Sequence, residues 1–394
     1  MGASVAGVRT ARELRAAGYV GEVVLIGDEP ELPYDKTPLS KAFLAGARSS
    51  EQIRLLDRDS ASALDVQLRL GAAAVRLDVA DGTVELAGGE LIAYDTCVLA
   101  TGARARPSPW GRIDGVHVLR TMADSAAIRA DLVPGASVVV VGGGFIGSEV
   151  AATARGMGCE VTIVDPASVP MGRVVGAEIG ELFGRLHRRH GVTTLFGVGV
   201  DSLHGVASGL EVGLTEGAAL TADTVVVGIG AQPNVEWLAS SGLLIDDGVV
   251  CDEHCRTTAP DVFAIGDIAR WFHPRRRRHL RVEHWTNAGE MATCVARTIA
   301  DPDEPRSHAP VEYVWTDQYD WRVQVLGYRE ESATASMVGD LVDDQLAVLF
   351  GAPDGALTGA MTVNRPRALS ACRRALAGET TVSAAMDVLS ALAR

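Results

Sequence analysis

Two glycine-rich turns carry the clearest chemistry in the chain. Gly2-Ala3-Ser4-Val5-Ala6-Gly7 and Gly142-Gly143-Gly144-Phe145-Ile146-Gly147 have the spacing at which a backbone can approach a pyrophosphate closely. In that motif a following helix also turns its N-terminal amides toward the phosphates. One such turn is weak evidence, since glycine-rich turns are common. Two in register in one chain predict two bound dinucleotides, and the usual pair is FAD with NAD(P)H. That pairing is electron-transfer chemistry.

The elements around the second turn fit it closely. Ser137 to Val141 is an apolar run of the kind buried in a parallel sheet, and a helix is predicted from Phe145 to about Gly156. A second strand, Glu160 to Val164, ends at Asp165. The fingerprint places an acid about 20 residues beyond the glycines, where it accepts hydrogen bonds from ribose hydroxyls. A carboxylate there repels a 2′-phosphate, so Asp165 favours NADH over NADPH, with Arg173 downstream as the counterweight. Gly142, Gly144, Phe145, Ile146 and Gly147 are the candidate pyrophosphate contacts.

The first turn is less regular. Ser4 stands at its middle glycine position, and no strand precedes it, because Met1 directly adjoins Gly2. A strand is expected upstream of Met1, since the neighbouring strands of a parallel sheet need its backbone groups. The helix is predicted from Val8 to Ala17, and Glu22 to Gly27 reads as the next strand. Asp28 or Glu29 is then placed for the ribose.

Composition narrows the function further. The 394 residues suit two or three domains, and no run approaches the ~20 apolar residues of a membrane helix. No signal peptide is evident, so a cytoplasmic protein is expected, with no membrane partner. A formal net charge of -14 argues against nucleic acid. Six scattered cysteines suit reduced thiols, and Cys251-Asp252-Glu253-His254-Cys255 has poor zinc spacing, so no metal site is expected. Residues 30–60 hold no cysteine. Lysine is nearly absent: Lys36 and Lys41 are the only two, both within Leu32-Pro33-Tyr34-Asp35-Lys36-Thr37-Pro38-Leu39-Ser40-Lys41. A compact ammonium needed at that place and a solvated helix start are both open readings of them.

Taken together, these motifs resemble the FAD-dependent, NADH-linked ferredoxin reductases that feed Rieske-type dioxygenases and bacterial haem-thiolate monooxygenases. The resemblance runs nearly end to end. It continues through Leu99-Ala100-Thr101-Gly102-Ala103, Leu119-Arg120-Thr121, Val227-Gly228-Ile229-Gly230 and Ala264-Ile265-Gly266-Asp267. It ends with Arg281-Val282-Glu283-His284-Trp285-Thr286-Asn287-Ala288, Trp315-Thr316-Asp317-Gln318 and Thr362-Val363-Asn364-Arg365-Pro366. Ser4 and Lys36-Thr37, where the family usually has Arg-Pro, are departures.

The resemblance implies roles. Lys41 lies near flavin N5 and pairs with Glu149 on the helix after the second turn. Arg120 reaches the FAD pyrophosphate with a two-pronged donor. The backbone of Val75 touches the adenine, and the Ala100-Thr101-Gly102 turn passes the diphosphate. Asp267, at a strand end after Gly266, accepts a ribityl hydroxyl. Glu283, His284 and Trp285 adjoin the flavin, where a helix from Thr286 to Ile299 aims its positive end at the ring. Lys36 belongs to the FAD site, Gly230 to the cofactor site, and Trp315 stands by the nicotinamide.

The expected fold is α/β: two Rossmann-like dinucleotide-binding domains, arranged as in glutathione reductase, plus a small α+β C-terminal domain. The FAD domain is split over 1–108 and 230–308, the NAD domain is 109–229, and the reductase domain is 309–394. That last domain is predicted to open with a strand-like Trp315–Leu326, to hold a hairpin at Pro353-Asp354-Gly355, and to end in Ala-rich helices. The expected activity passes electrons from NADH through FAD to a small iron–sulfur ferredoxin that serves an oxygenase. Arg275-Arg276-Arg277-Arg278 is either its docking patch or ordinary surface. Alternatives are a two-electron flavin or disulfide-type reductase, disfavoured by the missing cysteine pair, and a non-catalytic remnant lacking FAD.

Overall fold

The computed structural model describes residues 1–207, 209–340 and 344–392. They form two compact units. One comprises residues 1–36, 49–104 and 231–310, and the other 37–48, 105–230 and 311–394.

In the first unit, the helix Val5–Ala16 begins directly on the Gly2 turn, three residues earlier than the predicted Val8. Ser4, in an extended conformation, is its N-cap, so helical geometry starts at once. Strands Val23–Ile26 and Val66–Arg69 pair in parallel, as do Cys97–Leu99 and Val262–Ala264. Met1 and Gly2 tie one pair to the other. The Gly2 amide donates to Ile26 O (2.7 Å), the Met1 amine to Val98 O (2.8 Å), and Ala100 N to Met1 O (2.7 Å). The helix Trp285–Ala300 packs on Val5–Ala16 over a core that includes Trp271, Phe263, Ile265 and Met291.

The second unit holds a five-stranded parallel sheet ordered Thr193–Phe196, Glu160–Asp165, Ser137–Val141, Thr224–Val227, Val116–His117. Its central strand is almost entirely buried valine, which is why periodicity read it correctly. The C-terminal residues build a five-stranded antiparallel sheet. One face packs on the helix Ala177–Arg189, and the other is covered by the helices Pro366–Ala377 and Val382–Leu392. The hairpin at Pro353-Asp354-Gly355 joins two of its strands, with Gly355 at φ +84°.

The predicted strand Trp315–Leu326 is instead two strands, Tyr313–Gln318 and Trp321–Gly327, folded back at Tyr319. Tyr319 sits at φ +53°, a conformation a bulky side chain adopts only when its surroundings hold it there. Two histidines do so. Its hydroxyl is 2.9 Å from His187 Nδ1, and its ring stacks on His190 at 4.0 Å.

Burial, with His190 and Arg188 adding to it, pushes the His187 pKa down to about 4. The native state therefore keeps this ring neutral while the unfolded chain protonates it near pH 6.5. Stability tied to His187 is full above pH 6.5 and declines as pH falls toward 4. The thermal midpoint should drop between pH 7 and pH 5, and His187→Gln should shallow that drop. An identical slope in the variant would remove His187 from the account.

Candidate functional site

The two glycine turns share a strand-end hydrogen bond and the same close backbone contacts. Gly142 N donates to Val164 O (2.8 Å), as Gly2 N does to Ile26 O. Gly2 (φ +106°) and Gly142 (φ +111°) have no room for a side chain: an added Cβ would lie 2.0 Å from Ala100 O and 2.3 Å from Gly228 O. At Gly7 and Gly147 it would meet the carbonyls of Gly2 and Gly142 at 2.0 and 1.9 Å. These contacts drive the turn against its own helix and leave the helix start open. Ser4 and Gly144 are the N-caps, and neither helix is capped by a side chain. An added Cβ at Gly144 would meet nothing within 4 Å, so that side of the turn is clear. Uncapped amides over a glycine cradle fit a pyrophosphate. Ser4 in place of a glycine does not spoil the first cradle, because its backbone is extended and needs no positive φ.

Asp165 is tied into the second turn. Its carboxylate accepts from Gly143 N (2.6 Å) and Ala167 N (2.7 Å), which fixes its position at the strand end. Arg173 is exposed on the short helix Gly172–Val175, and Gly230 stands at φ +103° with its carbonyl accepting from Arg106 N. Ile146 is 45% exposed on the first turn of the helix Phe145–Gly156, which Phe145 opens.

In the first unit, Glu29 accepts from Tyr34 and from Lys36 Nζ (2.6 Å), while Asp28 takes the Glu29 amide (3.1 Å). Val75 falls at a register irregularity between Ala74 and Arg76, which takes it out of the regular strand ladder. The Ala100-Thr101-Gly102 turn is clamped by Asn234. That residue donates to Thr101 O (2.8 Å) through its side chain and to Gly102 O (3.0 Å) through its amide. Asp267 does not end a strand: it lies in a single 3-10 turn, Gly266–Ile268, beyond the strand Val262–Ala264. The helix near the predicted flavin edge starts at Trp285, one residue earlier than expected, with His284 as its N-cap. Asn287 faces inward, 2.9 Å from His308 Nε2. Glu283 pairs with Arg281.

A buried polar cluster lies in the second unit around Glu149. This carboxylate is 3% exposed and accepts from three donors: Lys41 Nζ (2.7 Å), Ser40 Oγ and Thr316 Oγ1 (2.8 Å). Thr316 in turn accepts from Gln318 Nε2 (3.3 Å). The hydroxyl thus has one direction left for its proton, toward Glu149. The 37–48 segment that carries Ser40 and Lys41 is anchored too, with Ser125 donating to Leu39 O (2.7 Å) and Thr153 to Ser40 O (2.8 Å). Arg120 directly precedes the capping box of the helix Met122–Asp131, its amide on Asp124. Trp315 is not brought to Glu149. It neighbours Thr316 along the strand, so it points to the opposite face, where it stacks on Tyr313 at 6.0 Å.

Residues 1–292 match the pyridine nucleotide-disulphide oxidoreductase family, and 313–390 match a reductase C-terminal domain. The chain belongs to that family. Among its relatives, an anthranilate 1,2-dioxygenase system ferredoxin–NAD(+) reductase component from Burkholderia cepacia is 37% identical, over 96% of this chain and 93% of the relative. Rhodocoxin reductase from Rhodococcus erythropolis is 36% identical, over 96% of this chain and 89% of its own length. The reductase in a covalent putidaredoxin reductase–putidaredoxin complex superposes with a TM-score of 0.91 at 32% identity, covering 96% and 92% of the two chains. The fold of this family member is therefore mixed α/β with the architecture of the putidaredoxin reductase type. Among the described residues no helix is long and apolar enough to cross a membrane, and no group of three or more His, Cys, Asp or Glu could hold a metal.

Sequence reasoning missed Ser40, Thr316, Gln318 and Asn234 as parts of these sites. Ser40 and Thr316 are 109 and 167 residues from Glu149, a separation that leaves no periodic signal. With only two lysines in the chain, the Glu149 cluster has a direct spectroscopic handle. Lysine labelled with 15N should give two ammonium signals. Glu149→Gln should shift Lys41's alone and Glu29→Gln Lys36's alone. A Lys41 signal indifferent to Glu149→Gln would dissolve the pair.

Proposed function

We propose that this family member is a cytoplasmic NADH-dependent flavoprotein reductase that passes electrons from NADH through FAD to a small ferredoxin serving an oxygenase. The single observation that carries the reading is the pair of like-built pyrophosphate cradles, one in each unit of a chain similar along its length to ferredoxin–NAD(+) reductase components. When bound, FAD supplies the conversion of a two-electron donor into single-electron transfers.

The chain's own residues divide the remaining work. Gly2, Ser4, Val5, Ala6 and Gly7 hold the FAD pyrophosphate by backbone amides, with the Ala100-Thr101-Gly102 turn alongside. Asp28 and Glu29 serve the ribose, and Lys36 and Tyr34 orient the Glu29 carboxylate. Val75 offers its peptide to the adenine. Asp267 takes a ribityl hydroxyl, and Trp285 opens a 16-residue helix whose positive end stabilises an anionic ring edge. The second cradle, from Gly142 to Gly147, holds the NADH pyrophosphate, and Asp165 accepts from its adenosine ribose. Trp315 contacts the nicotinamide. Lys41 is the fixed cation of the reaction centre, and Glu149, Ser40 and Thr316 keep it in place.

The acceptor follows from where the sulfur is not. The flavin-proximal dithiol of a disulfide reductase has no counterpart in residues 30–60, and the six cysteines are free and buried elsewhere. Electrons must then leave to an external one-electron carrier. On a chain of net charge -14, an acidic carrier meets long-range repulsion, which salt screens beyond about 8 Å. Arg275, Arg277 and Arg278, exposed on the hairpin between Ala269–His273 and Arg278–Leu280, form the local basic patch that offsets it.

The purified protein should be yellow, should use NADH far more efficiently than NADPH, and should reduce a ferredoxin or ferricyanide while leaving glutathione disulfide untouched. Robust NADH-dependent turnover of disulfides would overturn the assignment, and so would a colourless protein inert to every acceptor.

A further inference from the structure

Three elements of the first unit meet at Gly266. The turn Gly266–Ile268 holds that residue at φ +71°, where an added Cβ would lie 3.4 Å from Ala6 Cβ and 3.5 Å from Ala288 Cβ. Ala6 is in the first turn of the helix Val5–Ala16, and Ala288 in the first turn of the helix Trp285–Ala300. Gly266 is therefore packed between the starts of both helices, directly before Asp267. Its amide donates to a thioether, Met291 Sδ (3.3 Å), on the second of those helices. The same sulfur accepts from Asn287 Nδ2 (3.4 Å), one turn earlier.

Asn287 carries the chain onward. Its Nδ2 also donates to Val282 O (3.3 Å), in the stretch leading into the helix, and its Oδ1 meets His308 Nε2 at 2.9 Å. An amide oxygen only accepts, so the proton of the His308 ring sits on Nε2. Burial, with His273 adding to it, pushes the His308 pKa down to about 3, which keeps the ring neutral. His308 is held at both backbone atoms: its amide donates to Glu253 O (2.7 Å), and its carbonyl accepts from Trp271 Nε1 (3.2 Å). Met291, Asn287 and His308 are 0%, 2% and 4% exposed. Three apolar side chains could fill that space without any hydrogen-bond requirement. What the satisfied polar chain adds is a fixed place for the Gly266 amide.

We propose that Met291, Asn287 and His308 are positioning residues that hold the Gly266-Asp267 turn where Asp267 meets the ribityl chain of FAD. The inference rests on the role given to Asp267 in the proposed function. Met291 sets the turn through the Gly266 amide, Asn287 fixes the Met291 sulfur, and His308 orients the Asn287 side chain. A turn that has lost its sulfur acceptor can move to offer the Gly266 amide to water, and FAD binding must then drive it back. The loss is thus felt in cofactor affinity, not only in folding. The cradle from Gly2 to Gly7 is held separately, by Gly2 N on Ile26 O and Ala100 N on Met1 O (both 2.7 Å). ADP, which has the adenosine and diphosphate but no ribityl chain, therefore reports on the cradle alone.

Serial dilution of the full-length holoprotein, read by the fluorescence of released FAD, gives the FAD dissociation constant, and displacement of FAD by ADP gives that of ADP. Met291→Leu keeps an apolar side chain of similar volume and removes the acceptor; it should raise the FAD constant roughly tenfold and leave the ADP constant unchanged. His308→Phe keeps a ring beside Trp271 and should weaken FAD in the same direction. His308→Gln, whose Nε2 again donates to Asn287, should restore it. In an Asp267→Ala background Met291→Leu should add nothing, because the contact it positions is gone. If His308→Phe fails to fold, the Met291→Leu result decides. An unchanged FAD constant in Met291→Leu, FAD and ADP weakened by the same factor, or an undiminished Met291→Leu effect without Asp267 would each overturn the inference while the proposed function stands. An unmodified protein that binds no FAD would remove both.

Discussion

A buried carboxylate with three donors from three distant stretches of chain is the constraint on which the second unit turns. Glu149 comes from the helix that follows the nucleotide turn, Ser40 and Lys41 from the 37–48 segment, and Thr316 from the C-terminal sheet. Removing one partner of such a pair strands a charge in the interior, at a cost of about 3–5 kcal/mol. The three stretches are therefore obliged to arrive together. The same cluster that fixes them also fixes the Lys41 ammonium, so the packing of the unit and the geometry of Lys41 are a single problem with a single solution.

Repetition is the second organising fact. Each glycine turn donates a hydrogen bond to a strand-end carbonyl, presses against a neighbouring carbonyl, and hands on to a helix with no side-chain cap. Glycine is required at four positions, Gly2, Gly7, Gly142 and Gly147, because a Cβ at any of them would collide with backbone at 1.9–2.3 Å. Ser4 is tolerated because its backbone is extended. The physics that makes the cradles open to phosphate is thus also the reason their sequences look alike.

What was legible in the sequence was whatever is local. The glycine spacing, the valine strand Ser137–Val141, Asp165 at its strand end and the Pro353-Asp354-Gly355 hairpin all announce themselves within a few residues. The turn at Tyr319 does not, since nothing in Gln318-Tyr319-Asp320-Trp321 carries glycine or proline. Its positive φ is imposed by His187 and His190 from another element. Ser40 and Thr316 were invisible for the same reason: a hydroxyl that completes a carboxylate 109 or 167 residues away leaves no pattern in either segment.

The central claim of the proposed function is that Lys41 and Glu149 act as one unit in promoting hydride transfer from NADH to the flavin. A double-mutant cycle on the rate at which NADH bleaches the bound flavin tests it most directly. Lys41→Met and Glu149→Gln should each slow bleaching by at least tenfold, and the double variant should be no slower than the worse single one, since the second change removes a partner already lost. Rate losses that simply multiply in the double variant, or single variants as fast as the unmodified protein, would contradict the account.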